Sequence, residues 1–483
     1  AALGHDADFV GSIDDFRVFT KALTDDDVKG LFRGGELDIA WSPEPIDGHR
    51  DVILEPVMSW KAGDFATHHD VYFGTDLDAV TDAPVDVRVD VIVFGGGIAG
   101  LWTLARLQQA GYKAVLLESQ ALGAGQTRYA QGIIHGGTKY ALTGKLTASS
   151  ESLADMPSRW RDCYEGNGEL DLSQAELLSD AHYLWSTTSL TSRISGFFAS
   201  KVMRSRSTEL DKKSLPAIFQ HKDFKGQFYR LDEPVFNTMT VIRALAEPRK
   251  QSILMIDGES LSYEDGKLLV SSVQGVDYRF HYKKIMFNAG EGNEELLARS
   301  NSEQPRMQRR PLKMLVMRGV QDDMIYAHCL GASVNPRITI TSHRDAQGRV
   351  VWYMGGQLAE DGVDKTDVAL VKAAKKELGE LIPWLDLNGA EWGVLEINRA
   401  EIRKPGTTRP DTFSIEQHGN LITAWPTKLA LAPVLADELI DMLEADNVEK
   451  STDQSLPEWA PPVYAELPWD EEPCWLPSSE VDA

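Results

Sequence analysis

From Val87 to Phe94 apolar and polar residues alternate and then run apolar, the pattern of a strand that ends buried in a parallel sheet. The run feeds Gly95-Gly-Gly97-Ile-Ala-Gly100, after which Ile98, Leu101, Leu104, Ala105 and Leu107 form one stripe of a predicted helix that Gly111 ends. A second apolar run, Lys113 to Leu117, closes on Glu118. Much later, Lys284 to Phe287 predicts a strand ending in Asn288-Ala289-Gly290, and Gly419 to Trp425 a strand that leads through Pro426-Thr427-Lys428 into a helix over Leu429 to Leu443. Elsewhere in this body Lys267–Val273, Arg337–Thr341 and Val350–Gly355 read as strands of a second, largely antiparallel sheet. The pattern predicts a mixed α/β fold.

The two ends of the chain differ from this body. In Gly11-Ser-Ile-Asp-Asp-Phe-Arg-Val-Phe19 the residues Ile13, Phe16, Val18 and Phe19 are strand-like, and Thr24 with Asp27 forms a capping-box pattern. Residues 1–35 resemble the C-terminal end of a laminin-G-like jelly roll, whose remaining strands the chain lacks. Residues 36–83 carry Pro43, Pro45 and Pro56 between short apolar runs and resemble a partial fibronectin-type-III-like β unit. His68, His69 and Asp70 are adjacent there, but neighbours on a strand point to opposite faces, so a polar strand entry is preferred over a metal site. Residues 450–483 form a tail rich in Pro and Trp that is expected to wrap the body, because disordered tails are usually poor in aromatics.

Charge follows the same division. The 483-residue chain carries a formal charge of −24; residues 1–90 contribute −13 and residues 450–483 contribute −7, so the middle is nearly balanced. Such acidity excludes a protein that grips nucleic-acid phosphates. Three separated cysteines, Cys163, Cys329 and Cys474, give neither a disulfide framework nor a metal motif, and no N-x-S/T acceptor is present. No apolar run reaches the ~18 residues of a membrane span. The expected location is cytoplasmic, with attachment at the inner-membrane surface as a variant. Because the sequence opens on Ala1, N-terminal targeting stays open.

Strand, G-x-G-x-x-G, helix, strand and acidic residue fall within one unit of about thirty residues, the arrangement of a dinucleotide site. Gly95 permits the tight turn, Gly97 lets backbone approach a pyrophosphate, and Gly100 allows close helix–strand contact. The helix N-terminus offers N–H groups to phosphate, and Glu118 can accept from ribose hydroxyls. Past Glu118 come Ala121-Leu-Gly-Ala-Gly-Gln126-Thr127 and Gln131-Gly-Ile-Ile-His135-Gly136-Gly137, backbone suited to passing beneath a flat group. Here the sequence resembles the FAD-dependent oxidoreductases of the D-amino-acid oxidase type, with L-2-hydroxyglutarate oxidases and glycerol-3-phosphate dehydrogenases as the nearest look-alikes. The resemblance implies a Rossmann-type FAD-binding domain interleaved with an antiparallel-sheet substrate domain over residues 84–449. It implies FAD contacts from Gly95, Gly97, Gly100, Glu118, Gln126, Thr127, Gly136, Gly137, Asn288, Ala289, Gly290, Thr427 and Lys428. Trp425-Pro426-Thr427-Lys428 replaces the family's Gly-rich junction at the flavin.

Flavin oxidation needs a group that holds the substrate and a sink for its O–H or N–H proton. His135 is the candidate proton acceptor, since imidazole titrates near neutrality; packing or a cofactor contact is its competing role. Arg399 and Arg403 are candidates for orienting a substrate carboxylate, against surface ion pairs with Glu396 and Glu401. Lys313, His328, Tyr353 and Gln357 are weaker candidates, and no metal is expected. The chain is thus expected to be an FAD-dependent oxidoreductase acting on a small 2-hydroxy acid, amino acid or related amine or alcohol, with oxygen or a quinone as acceptor. Two rivals remain at this point: an NAD(P)-dependent Rossmann enzyme, and an adhesion or glycan-binding protein with a degenerate enzyme body.

Overall fold

The computed structural model describes residues 41–44, 59–61, 84–137, 153–187, 207–264, 266–302, 304–320, 323–331, 335–405, 410, 412–471 and 475–482. It divides into two compact units, Ala1–Ala83 and Pro84–Ala483. In the first, Trp41–Glu44 pairs antiparallel with Ser59–Lys61. The laminin-G-like stretch and the polar strand entry at His68, His69 and Asp70 lie outside the described residues.

The second unit is built on a six-stranded sheet in the order Ile253–Met255, Ala114–Glu118, Val91–Phe94, Lys284–Phe287, Leu421–Trp425, Ser414–His418. All neighbours are parallel except the last pair. Alternate residues of each strand enter different cores, as the period of two demands. Val91, Val93, Leu116, Met286 and Ile422 pack under the helices Ile98–Gln109, Thr238–Ala246 and Ala432–Ala445. Ile92, Phe94, Val115, Leu117, Ile285 and Phe287 face a small sheet of Ser262–Glu264, Lys267–Ser271, Asp277–His281 and Val85–Arg88. The strand expected at Lys267–Val273 therefore joins this small sheet, not the substrate sheet. Its neighbours on both sides are antiparallel hairpin partners, reached through turns at Gly266 (φ 74°) and Gly275 (φ 80°), and such local pairing wins over a distant one.

A nine-stranded sheet, antiparallel but for one pair, forms the rest. Helix Asp367–Leu381, capped by the Thr366 side chain, covers one face through Leu370, Val371, Ala374 and Leu378. The opposite face carries Tyr353, Val351, Met314 and Leu395. The chain enters this sheet at His182–Trp185, leaves it after Phe228–Leu231, returns for Met307–Ile402 and leaves again, so the two sheets are interleaved in sequence. The helix expected from Leu429 begins as a short 3-10 turn, Leu429–Leu431, and becomes α-helical at Ala432–Ala445, with proline in the first turn. No helix among the described residues is long and apolar enough to cross a membrane.

The described residues of the tail are bound at several places. Trp459 packs against Tyr278 and Phe280, Trp469 against His343 and Tyr353, and Leu476–Pro477 adds a strand beside Glu391–Trp392. Its first anchor is Asp90, fully buried, which accepts from Lys113 N–H (2.9 Å), Ser451 N–H (2.9 Å) and Ser451 Oγ (2.6 Å) and pairs with Lys283 (2.8 Å). Burial pushes this carboxyl upward, but the bonds from Lys283, Ser451 and Lys113 outweigh it and hold it below the ordinary value. Replacing Asp90 by Ala takes the acceptor from four donor groups, the Lys113 and Ser451 N–H, the Ser451 hydroxyl and the Lys283 ammonium, and is expected to destabilise by about 3 kcal/mol, read from chemical denaturation. Because the folded value is depressed, the stabilisation is present above the ordinary carboxylate range and fades as pH falls through the folded value. The gap between wild type and Asp90→Ala should therefore hold at neutral pH and close only in acid.

Candidate active site

The turn after Val91–Phe94 is crowded by backbone. Gly95 has φ 104°, and a Cβ there would lie 2.6 Å from Ala289 Cα and 2.7 Å from Asn288 O. A Cβ on Gly100 would lie 1.9 Å from Gly95 O. Both positions require glycine. Gly97 caps helix Ile98–Gln109 without a side-chain bond of its own, and Thr127 Oγ1 accepts from Ile98 N–H at 3.1 Å. Glu118 ends its strand with Oε2 accepting from Gly96 N–H (2.6 Å) and Oε1 from Gln120 N–H (2.8 Å). Burial raises its carboxyl, and these backbone bonds pull the other way. Beside it a cleft runs past Gly95, Ser119, Ile256, Gly258, Ala289 and Arg299.

Of the other expected cofactor residues, Asn288 and Ala289 crowd the same turn, with Gly290 next to Gln126 and Thr127 beside Gly97. Asn288 donates from Nδ2 to Thr103 Oγ1 (3.2 Å), Ala289 N–H donates to Asn293 Oδ1 (2.8 Å), and Gly290 turns with φ 59°. Trp425 Nε1–H donates to Gly290 O at 3.0 Å and so ties the strand-to-helix junction to that turn. Gln126 Oε1 accepts from Ala400 N–H at 3.1 Å, coupling the loop to the long strand Glu391–Ile402 of the large sheet. Lys428 precedes the 3-10 turn, its carbonyl accepting from Leu431 N–H. Thr427 Oγ1 and Asn288 Oδ1 are buried with no hydrogen-bond partner among the described residues. Buried polar oxygens at the place expected for a flavin fit a polar ligand that completes them, and the glycine turn and helix N-terminus fit its phosphates.

His135 lies where the loop Gln131–Gly137 meets the large sheet. Gln131 Nε2 donates to Tyr353 O (3.0 Å), and the His135 ring stacks over His328, with centroids 5.6 Å apart and planes at 18°. His182 stands edge-on to His328, with centroids 4.1 Å apart. His135 Nδ1 is 3.2 Å from Glu233 Oε2, and Glu233 Oε1 accepts from Gly136 N–H at 2.8 Å. Gly137, at φ 78°, ends the described part of the loop. His328 Nδ1 lies 2.6 Å from Thr339 Oγ1.

The arginines sit elsewhere. Arg399 pairs two-pronged with Glu360 (2.9 and 3.1 Å) and also donates to Arg310 O and Pro311 O. Arg403, past the strand end, is exposed and lines an open cleft with Arg306, Lys404, Glu416 and His418. Lys313 is held by Asp367 and Glu396, Tyr353 donates to Tyr129 O, and Gln357 donates to Asp361. Sequence reasoning missed Glu233 and His182. A carboxylate just before Pro234 and a histidine opening an apolar strand are signals too common to single out alone.

Comparison with known proteins gives one account of this arrangement. The family described as FAD dependent oxidoreductase matches residues 90–429. A probable FAD-dependent oxidoreductase of Pseudomonas aeruginosa is 46% identical over 388 residues, covering 80% of this chain and 99% of that protein. The crystal structure of an FAD dependent oxidoreductase from Pseudomonas aeruginosa superposes with a TM-score of 0.69 at 41% identity, covering 80% of this chain and 98% of that one. Glycine oxidase from Geobacillus kaustophilus shares the fold at TM-score 0.54 and 13% identity, covering 76% and 97% of the two chains. The cofactor is FAD, and the NAD(P) alternative falls away. Gly95→Ala, which pushes a Cβ into the Asn288–Ala289 backbone, is expected to yield colourless protein. Thr427→Val should fold normally and hold FAD about tenfold more weakly, the worth of one hydrogen bond, measured by flavin absorbance after gel filtration and by FAD titration.

Proposed function

Because the chain belongs to the FAD dependent oxidoreductase family, we propose that it oxidises a small 2-hydroxy acid, amino acid or related amine or alcohol, with His135 as the proton acceptor. FAD, when bound, supplies the acceptor for the hydride, and with it both electrons. The substrate carbon then becomes a carbonyl or imine, and its O–H or N–H proton goes to the His135 ring. The observation that carries this reading is the position of His135. It stands on the glycine-rich loop that continues from the nucleotide motif, it faces the large sheet over His328, and its side chain remains 30% exposed. An imidazole so placed can take a proton from a bound substrate and return it to water.

Residues Gly95, Gly97, Gly100 and the helix N-terminus would hold the pyrophosphate, Glu118 the ribose, and Gln126, Thr127, Gly136, Gly137, Asn288, Ala289, Gly290, Thr427 and Lys428 the flavin half. Arg399 orients an acidic substrate only by exchanging Glu360 for the substrate carboxylate, whereas an alcohol or amine needs no such exchange. Arg403 would act from the rim. Oxygen and quinones are both candidate acceptors.

Anaerobic mixing of the holoenzyme with hydroxy acids, amino acids, simple amines and glycerol phosphate tests the reading. At least one class should bleach the flavin, and His135→Ala should slow that step about 10²–10⁴-fold with flavin content unchanged. Bleaching at the wild-type rate in His135→Ala would overturn it. The laminin-G-like and fibronectin-III-like resemblances, and with them any adhesion role, concern residues 1–83, a separate unit. Deleting residues 1–83 is expected to leave turnover within about twofold, since the family match begins at residue 90.

A further inference from the structure

We propose that Glu233 is a positioning residue for this chemistry: it holds the His135 ring with hydrogen on Nδ1, so that Nε2 is the atom that receives the substrate proton. The proposal rests on the reading of His135 given above and adds a residue and an atom to it.

The placement is built into the backbone. Ile134 N–H donates to Pro234 O at 2.9 Å, Phe236 N–H donates to Gly132 O at 3.0 Å, and Ile133 bridges to Val235. Gly132 has φ 75°, and a Cβ on it would lie 1.9 Å from Phe236 O. No other residue lets the two segments run so close. The histidine loop and the segment carrying Glu233 are therefore joined by backbone immediately beside the pair, and Gly136 N–H to Glu233 Oε1 closes the contact beyond it.

The charge of the pair follows from its surroundings. Glu233 is only 3% exposed. Burial alone would push its carboxyl up, yet the hydrogen bond with His135, the electrostatic influence of the His135 and His182 rings and the Gly136 N–H together hold it below the ordinary range. It is an anion at neutral pH, and an ionised carboxylate only accepts. A carboxylate oxygen 3.2 Å from Nδ1 thus requires the ring hydrogen on Nδ1 and leaves a lone pair on Nε2. When Nε2 takes the proton, a pair of charge −1 becomes a neutral ion pair, so proton uptake is favoured at the moment the substrate gives it up.

The other groups facing His135 fit this role. His328 stacks on its ring and His182 stands edge-on at 6.2 Å. Tyr326, packed with Ile133 and Val235, has its hydroxyl pushed up by burial and stays neutral. Two imidazoles, His135 and His182, thus act on Glu233, and His328 packs against both of them. Protonating His182 or His328 would set like charges beside His135, which Glu233 offsets.

The test uses holoenzyme labelled with ¹⁵N-histidine. Ring shifts should show His135 protonated at Nδ1 and bare at Nε2; the reverse tautomer would overturn the proposal. Glu233→Gln should lose that preference and slow anaerobic flavin reduction about 10- to 100-fold, because uptake no longer neutralises an anion. The double variant His135→Ala/Glu233→Gln should be no slower than His135→Ala alone, since Glu233 acts through His135; fully additive losses would mean that Glu233 acts by another route. Should Glu233→Gln fail to keep FAD, the tautomer of the wild type decides alone. An unchanged rate in His135→Ala would remove the catalytic reading while leaving the tautomer result intact, so the two failures are distinguishable.

Discussion

Three backbone segments converge at Gly95 with no space for a side chain, and the rest of the enzyme is arranged around that contact. The turn after Val91–Phe94, the first turn of helix Ile98–Gln109 and the end of strand Lys284–Phe287 approach so closely that a single Cβ at Gly95 or Gly100 would collide with main chain. The helix starts directly from that turn, and because its N-cap Gly97 has no side chain, its first N–H is met from outside by Thr127 Oγ1. Trp425 reaches back to Gly290, just beyond the same contact, and brings the strand-to-helix junction with it. Gln126 reaches across to Ala400 and sets the large sheet against the loop. Two side-chain bonds thus carry the position of one crowded turn to both remaining walls of the site.

Interleaving explains why the histidine and its carboxylate meet. The chain leaves the large sheet after Phe228–Leu231 and re-enters the nucleotide-binding layers at Val235–Phe236 and helix Thr238–Ala246, whose start Asn237 caps through Met239 N–H. Glu233 lies in the crossing itself. A crossing segment has few partners of its own, and here its hydrogen-bonding groups are taken up by the loop Gln131–Gly137. A domain junction of this kind places residues from both domains in one site without a dedicated loop, which is where ligand sites tend to form.

What could be read from the sequence was local. The strand, glycine turn, helix, strand and Glu118 are encoded within about thirty consecutive residues by period, turn chemistry and a terminal acid, and they appear as expected at Val91–Phe94, Ile98–Gln109 and Ala114–Glu118. Contacts between distant segments could not be read. Glu233 is 98 positions from His135 and Glu360 is 39 from Arg399; in each case an ordinary acid gains meaning only from a partner that topology supplies. The strand at Lys267–Ser271 carried a strand pattern without an address, because period identifies a strand and says nothing of which sheet it joins. The junction Trp425-Pro426-Thr427-Lys428 departed from the glycine-rich form, and the structure gives the tryptophan a task that glycine could not perform, donating to Gly290 O.

The acidity of the chain takes on a different meaning once the tail is in place. Counted by segment, residues 450–483 are strongly acidic beside a nearly neutral body, which suggests an appendage repelled by nothing and held by little. Its acids are instead used where it lands: Asp453 on Lys113, Glu471 on Arg128, Asp470 on Ala346 N–H. Exposed pairs of this kind stabilise little singly, so they do not hold the tail down; Trp459, Trp469 and the strand Leu476–Pro477 do that. What the charges supply is register. The tail also exchanges main-chain bonds with the loop after Glu118, Leu122 N–H to Val463 O and Ala465 N–H to Leu122 O, and Arg128 belongs to that same loop. An aromatic anchor set one or two residues out of step would leave Glu471 and Arg128 apart and these bonds unmade. The tail therefore serves as the outer strap of the loop that carries Gln126, Thr127 and Gln131, and its negative charge fixes where the strap is fastened.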